Sequence, residues 1–181
     1  MSPVVRTIFC LAVALASAIP AIGCAQPARK SQLATVSQQI ADTRVEIVYR
    51  RPVARGRALF GALVPWGKIW TPSADSAAIM TISGPLDVNG RRLPTGSYAV
   101  WAIPDSTAWT LVFSSVARTF HLTYPPDKDV LRVQAAPRRG EHMETLAFYF
   151  PVVDADSAML HLHWGTTIVP VTLRTPDARS R

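Results

Sequence analysis

The sequence predicts an all-β fold: an antiparallel β-sandwich with a long Gly/Pro/Trp-rich loop packed on one sheet. Three observations carry this expectation. Short segments alternate apolar and polar residues with a period of two, as strands buried on one face do. Turn-forming residues recur between those segments, and no stretch of length shows the 3.6-residue period of an amphipathic helix. Antiparallel strands with such spacing stack into a sandwich or barrel.

Residues 34–40 are the first candidate strand. In the second, Val45, Ile47 and Tyr49 alternate with Arg44, Glu46 and Val48. A third spans 77–82, and Leu86-Asp87-Val88 leads into Asn89-Gly90, a strong two-residue hairpin signal. Leu93-Pro94-Thr95-Gly96 punctuates the entry to 97–103. The segment Ser97–Ile103 is apolar on both faces, so both must be covered; the loop of residues 55–70 is the expected outer cover. Trp109, Leu111 and Phe113 mark the next strand, followed by 129–135 and 144–151. Asp154-Ala155-Asp156 predicts a tight return into Leu160, Leu162 and Trp164, which alternate with His161 and His163. Trp164-Gly165-Thr166 predicts a second return, into 166–173.

The N-terminal residues read as an export signal. Arg6 precedes an almost wholly apolar run from Thr7 to Ile19, shorter than the ~20 residues needed to span a bilayer. Ala21-Ile22-Gly23-Cys24 then resembles the lipobox of bacterial lipoproteins, which makes Cys24 the expected lipidation site. Ordinary cleavage after Ala25 is the competing reading. Cys10 leaves with the signal, so Cys24 is the one thiol a mature chain keeps, and acylation accounts for it. The expected organisation is a signal peptide over 1–23, a tether over 24–33, one domain over 34–175 and a flexible tail over 176–181. The expected location is the periplasmic face of the outer membrane, or the periplasm or exterior if cleavage follows Ala25. The membrane, through a lipid anchor, is then one partner.

The net charge is +7, from 19 basic and 12 acidic residues. The excess is nearly all arginine scattered along the chain, and an exported protein rarely meets nucleic acid. Anionic lipid headgroups or polysaccharides are the expected acidic neighbours, with no nucleic acid among the partners.

From Tyr49 to Trp70 the chain packs two tryptophans, four arginines, a lysine, two prolines and three glycines. Such a run is too broken for a long helix and too apolar for a free linker, so it must fold back onto the domain. Its functional reading is a shallow ligand site comprising Tyr49, Arg51, Arg57, Trp66, Lys68 and Trp70. Trp66 and Trp70 would supply stacking planes; Arg51, Arg57 and Lys68 would meet anions or hydroxyls. The structural reading makes Trp70, Phe60 and Leu63 core plugs and the arginines stem-packed surface charges, paired in part with the few acids.

Tyr49-x-Arg51-Pro52, Gly56-Arg57, Phe60-Gly61 and Leu63-Val64-Pro65-Trp66-Gly67-Lys68-Ile69-Trp70 resemble the signature of the bacterial domain-of-unknown-function family 2911. Asn89-Gly90, Leu93-Pro94-x-Gly96-x-Tyr98, Ile103-Pro104, Asp129–Val133 and Trp164-Gly165 fit the same family. The resemblance covers about residues 34–173 and implies an exported or lipid-anchored β-rich protein with no assigned activity. Where relatives continue after Trp70 as Arg-Thr-Gly-Ala-Asn-Glu, this chain has Thr71-Pro72-Ser73-Ala74-Asp75-Ser76.

No catalytic constellation emerges. There is no Gly-x-Ser-x-Gly elbow, no glycine-rich phosphate loop and no Cys–His pair in a mature chain. Asp127/Asp129 and Asp154/Asp156 read as turn formers. His161-x-His163 shares one strand face, but zinc needs further ligands that the following residues do not supply. The two are expected as solvated or rim histidines, without a metal or other cofactor. The expectation is therefore a binding or structural module of the envelope, its partner an envelope glycan, lipid or protein. An envelope hydrolase acting on glycan or peptide is the alternative.

Overall fold

The structure, a computed structural model, describes residues 30–176. The expected export signal, Cys24 and the last five residues lie outside that range. Ten strands follow in order: β1 (Gln32–Ile40), β2 (Thr43–Arg51), β3 (Ala78–Ile82), β4 (Leu86–Val88), β5 (Arg91–Leu93), β6 (Gly96–Ile103), β7 (Trp109–Ser114), β8 (Asp129–Ala135), β9 (Arg138–Val153) and β10 (Ser157–Arg174). They build two antiparallel sheets, a six-stranded one ordered β1-β2-β3-β6-β7-β8 and a four-stranded one ordered β5-β4-β10-β9. Among the described residues there is no helix. β1 begins at Gln32, so the last two residues of the expected tether already pair with Arg50 and Arg51.

Alternation sets the core. Pairing of Val45 with Ile82 and Ile47 with Met80 aligns four fully buried side chains on one face of the larger sheet. Leu160, Leu162 and Trp164 face them from β10 within the same core cluster. The β4–β5 hairpin turns at Asn89 and Gly90, both with positive φ (46° and 78°), the pair of conformations that a two-residue turn of this hand demands. Asn89 also ties β4 to β10, its side-chain oxygen accepting from Thr172 N–H at 2.8 Å.

At Gly165 the fold departs from expectation. β10 runs unbroken from Ser157 to Arg174, and Gly165 sits inside it at φ 58° between two register shifts against β9. The strand bends here, opposite bulges in β9, where the sequence predicted a return. β9 stays beside the chain through this point, so the positive φ bends the strand without ending its pairing. Gly165 is buried, and an added Cβ would lie 2.8 Å from Leu59 Cδ1. The missing side chain is thus where the 55–70 loop docks.

That loop bridges the two sheets at one end of the sandwich. Trp70 exchanges two backbone hydrogen bonds with Ala102 of β6 at 2.8 and 2.6 Å. Phe60 packs edge-on to Trp109 of β7 at 4.7 Å and to Trp164 of β10 at 6.2 Å, while Trp70 and Trp164 lie nearly parallel at 6.1 Å. Phe60, Trp70, Trp109 and Trp164 together close the end of the core.

The two-faced strand β6 is covered as its composition requires, by two segments. Trp101 is 1 % exposed and groups with Ala77, Ala99 and Val112 on the outer face, under Ile69 and Tyr124. Ile69 belongs to the expected loop. Tyr124 belongs to the β7–β8 connection, its ring edge-on to Trp101 at 5.3 Å and its hydroxyl 2.6 Å from the Asp129 carboxylate.

Candidate functional site

The six residues singled out in the sequence separate into structural and surface groups. Tyr49 is core: it is 3 % exposed, its ring meets Phe148 edge-on at 4.9 Å, and its hydroxyl accepts from Phe148 N–H at 2.9 Å. Arg51 reaches across to β9, where its Nε donates to the Leu146 carbonyl at 2.9 Å. Arg57 folds back on its own loop, donating to the carbonyls of Ala54 at 2.8 Å and Val53 at 2.6 Å. Neither arginine pairs with an acid among the described residues, where the sequence led us to expect some of the few acids as partners. Both satisfy backbone carbonyls that the irregular chain leaves without ladder partners. Lys68 is exposed, and Trp70 is half-buried in the aromatic plug.

Trp66 is the exception. Among these aromatics it alone stands 48 % exposed. Gly61 makes room for it: at φ 86°, an added Cβ would overlap the indole Nε1. The Gly61 N–H donates to Val64 C=O at 2.8 Å, closing the small turn on which the indole rests.

Two clefts meet at this indole. One, of about 320 Å³, is lined by Arg57, Leu59, Phe60, His142, Trp164 and residues 165–167 as well as Trp66. The other, of about 250 Å³, runs from Trp66 over Thr166 and Thr167 to Arg138, Arg139, Ser106 and Asp105. Trp66, Thr166 and Thr167 line both, so the clefts form a single groove with an aromatic shelf at its middle, hydroxyls beside it and guanidinium groups toward its ends. The sequence reading reached Trp66 and Arg57 but missed Arg138, Arg139, Thr166 and Thr167. Arg138-Arg139 is visible as a doublet, yet only the pairing of β9 with Thr167 and Ile168 brings it to the loop.

Arg138 is held from below by His161. The Arg138 guanidinium lies 3.1 Å from His161 Nε2. Because arginine can only donate, Nε2 must accept and the ring proton sits on Nδ1. Burial first, then the Arg138 charge and His163, hold His161 below the ordinary imidazole pKa, which preserves the accepting form. His163 donates from Nε2 to the Glu141 carbonyl at 3.0 Å and accepts from the Tyr149 hydroxyl at 3.1 Å.

Both histidines lie on the strand face opposite the core, as alternation predicted. They are not solvated, however: His161 is 2 % and His163 4 % exposed. The register shifts place extra β9 residues opposite β10 on both sides of Gly165, and Glu141 of this bulged stretch reaches back to His163. His161 Nδ1 has no hydrogen-bond partner among the described residues. No cluster of three or more metal-ligating side chains occurs among the described residues.

Acids are sparse along the groove. Asp105 is the carboxylate among its described lining residues, and it is fully exposed. Hydrogen bonds from the Thr107 amide and hydroxyl, both 3.0 Å, hold it below the usual carboxylate range. Glu144 is likewise lowered, first by His142 and then by the Arg55 amide. Neither environment favours a proton-donating carboxyl.

The segment after Trp70 turns its hydroxyls inward. Thr71 Oγ1 donates to Val100 C=O at 2.8 Å and accepts from Ala78 N–H at 3.1 Å. Ser73 Oγ accepts from Arg50 N–H at 3.0 Å. Here these side chains brace the loop against β2, β3 and β6.

Residues 31–173 match the family model described as protein of unknown function, DUF2911. The chain belongs to this family. Comparison with curated proteins and with solved structures gave no match.

Proposed function

We propose that this member of the DUF2911 family is an exported, lipid-anchored binding module of the cell envelope, taking an acidic glycan in the groove at Trp66. The observation that carries the reading is the half-exposed indole seated between clefts that bear Arg57 on one side and Arg138 and Arg139 on the other. An indole face stacks on the apolar face of a sugar ring, the Thr166 and Thr167 hydroxyls suit ring hydroxyls, and guanidinium groups pair with carboxylates in a fixed planar geometry. Hydrolysis through paired carboxyls would need a second acid facing the first. Asp105, ionised and exposed, has no such neighbour among the described lining residues.

The test is retention on a glycan array followed by calorimetry. Uronic-acid oligosaccharides should be bound and their neutral counterparts left behind. Truncating an aromatic anchor typically costs upwards of ~2 kcal/mol, so Trp66→Ala should weaken binding about thirtyfold. Equal retention of neutral and acidic glycans, or unchanged affinity in the variant, would refute the site.

A further inference from the structure

A second face carries a different chemistry. A cleft of about 390 Å³ opens where the described chain begins, with Lys30, Arg55, Arg57, Leu63, His121 and Leu122 along its walls and no carboxylate among the described lining residues. The apolar side chains here are unusually bare: Leu122 is 76 % exposed and Leu63 44 %, and Phe120, whose ring meets the lining residue His121 edge-on at 4.6 Å, is 55 % exposed. Leu33, three residues from Lys30, is 59 % exposed. Asp75, next to the lining residue Ala74, lies 3.7 Å from Arg50, which offsets its charge. Bare leucine and phenylalanine ringed by cations form the pattern that inserts at a headgroup boundary while its charges meet anionic lipid.

We propose that this face, around Lys30, Arg55, Leu63 and Leu122, seats on an anionic lipid leaflet. The inference rests on the lipid-anchor reading for its geometry. Five residues separate Cys24 from Lys30, and that length of chain spans at most about 20 Å when fully extended. An acyl group on Cys24 therefore holds this cleft, rather than the far hairpin at residues 153–157, against the headgroups. The lipid on Cys24 sets the distance to the bilayer, and the basic apolar surface sets which face of the domain meets it. The Trp66 groove then lies on a separate stretch of surface, sharing only Arg57 and Trp164 with this cleft.

The experiment uses the mature chain from Cys24, unacylated, sedimented with vesicles of phosphatidylethanolamine and phosphatidylglycerol. Phosphatidylethanolamine–phosphatidylcholine vesicles serve as the neutral reference. Partition onto the anionic vesicles should be at least about tenfold greater and should fall with added salt. Leu33→Asp with Leu122→Asp, both exposed and outside the 54–70 loop, should abolish the preference while leaving the melting temperature and glycan retention unchanged. Val152→Asp with Val153→Asp, themselves 57 % and 45 % exposed but at the β9–β10 hairpin, should leave it intact. Equal partition onto both vesicles would overturn the proposal, as would equal losses in the two double variants. Mass spectrometry of the natural N-terminus tests the anchor separately: an unlipidated Cys24 would remove the tether without touching the vesicle preference.

Discussion

Trp164→Ala should destabilise the domain by about 3–5 kcal/mol, the usual cost of emptying a buried tryptophan site. Trp164 is 3 % exposed, lies parallel to Trp70 at 6.1 Å, and meets Phe60 at 6.2 Å. Its indole N–H donates to the Glu144 carbonyl at 3.3 Å, so truncation also strips β9 of a bond at its bulge. Neither sheet can move in to fill the space, because the loop that stacks on Trp164 is itself pinned to β6 through Trp70. For a domain of this size the loss corresponds to a fall in Tm of roughly 6–20 °C. Trp66→Ala is the internal control. Half-exposed and at the groove rather than in the plug, it should cost under about 1 kcal/mol. Thermal melts of the two variants side by side decide the matter, and similar losses would mean that plug and shelf are wrongly separated.

Gly61→Ala should lose glycan binding almost as completely as Trp66→Ala, although residue 61 lines neither cleft of the groove. The added methyl would meet the Trp66 indole at its Nε1. The positive φ of 86° adds backbone strain of about 1–3 kcal/mol for a residue with a Cβ. The indole must swing away or the turn must open; either way the shelf is lost. Calorimetry with the uronic-acid ligand should show at least about a tenfold loss with the overall fold retained by circular dichroism. Undiminished affinity would show that the indole position is not what the ligand reads. Gly67 offers a matched comparison: its φ is 68°, but nothing lies within 4 Å of an added Cβ. Gly67→Ala should carry the backbone strain and keep the binding.

The strands were legible because alternation is a local property. Val45, Ile47 and Tyr49 state their buried face without reference to any partner, and Asn89-Gly90 states its turn. Gly165 was not legible in the same way. A glycine with positive φ serves a turn or a bulge alike, and only the continued pairing of β9 distinguishes them. The burial of His161 and His163 follows from the same bulges, so a reading confined to β10 left them in water.

The candidate site was half legible for a related reason. Composition marked the Tyr49–Trp70 stretch as a unit. It did not separate Tyr49 and Trp70, which pack inward, from Trp66, which does not. Counting charges suggested that Arg51 and Arg57 must draw on the few acids, whereas their partners are carbonyls freed by irregular backbone, which no residue count reveals. Arg138 and Arg139 join the groove through β9 pairing, a long-range contact with no local signature. The sequence does mark Gly61 and Gly165 as glycines. That one seats an indole and the other a leucine emerges only from the packing.

The central claim is that residues 54–70 form a plug built into the end of the sandwich rather than a mobile loop. Amide hydrogen exchange read residue by residue tests it most directly. The N–H groups of Ala54, Gly61, Val64, Gly67 and Trp70 each donate at 2.8 Å to a backbone carbonyl, and those of Val64 and Trp70 should exchange on the timescale of neighbouring β6 and β7 amides. Exchange of that pair at the rate of the exposed chain ends, with the strands still protected, would contradict the account.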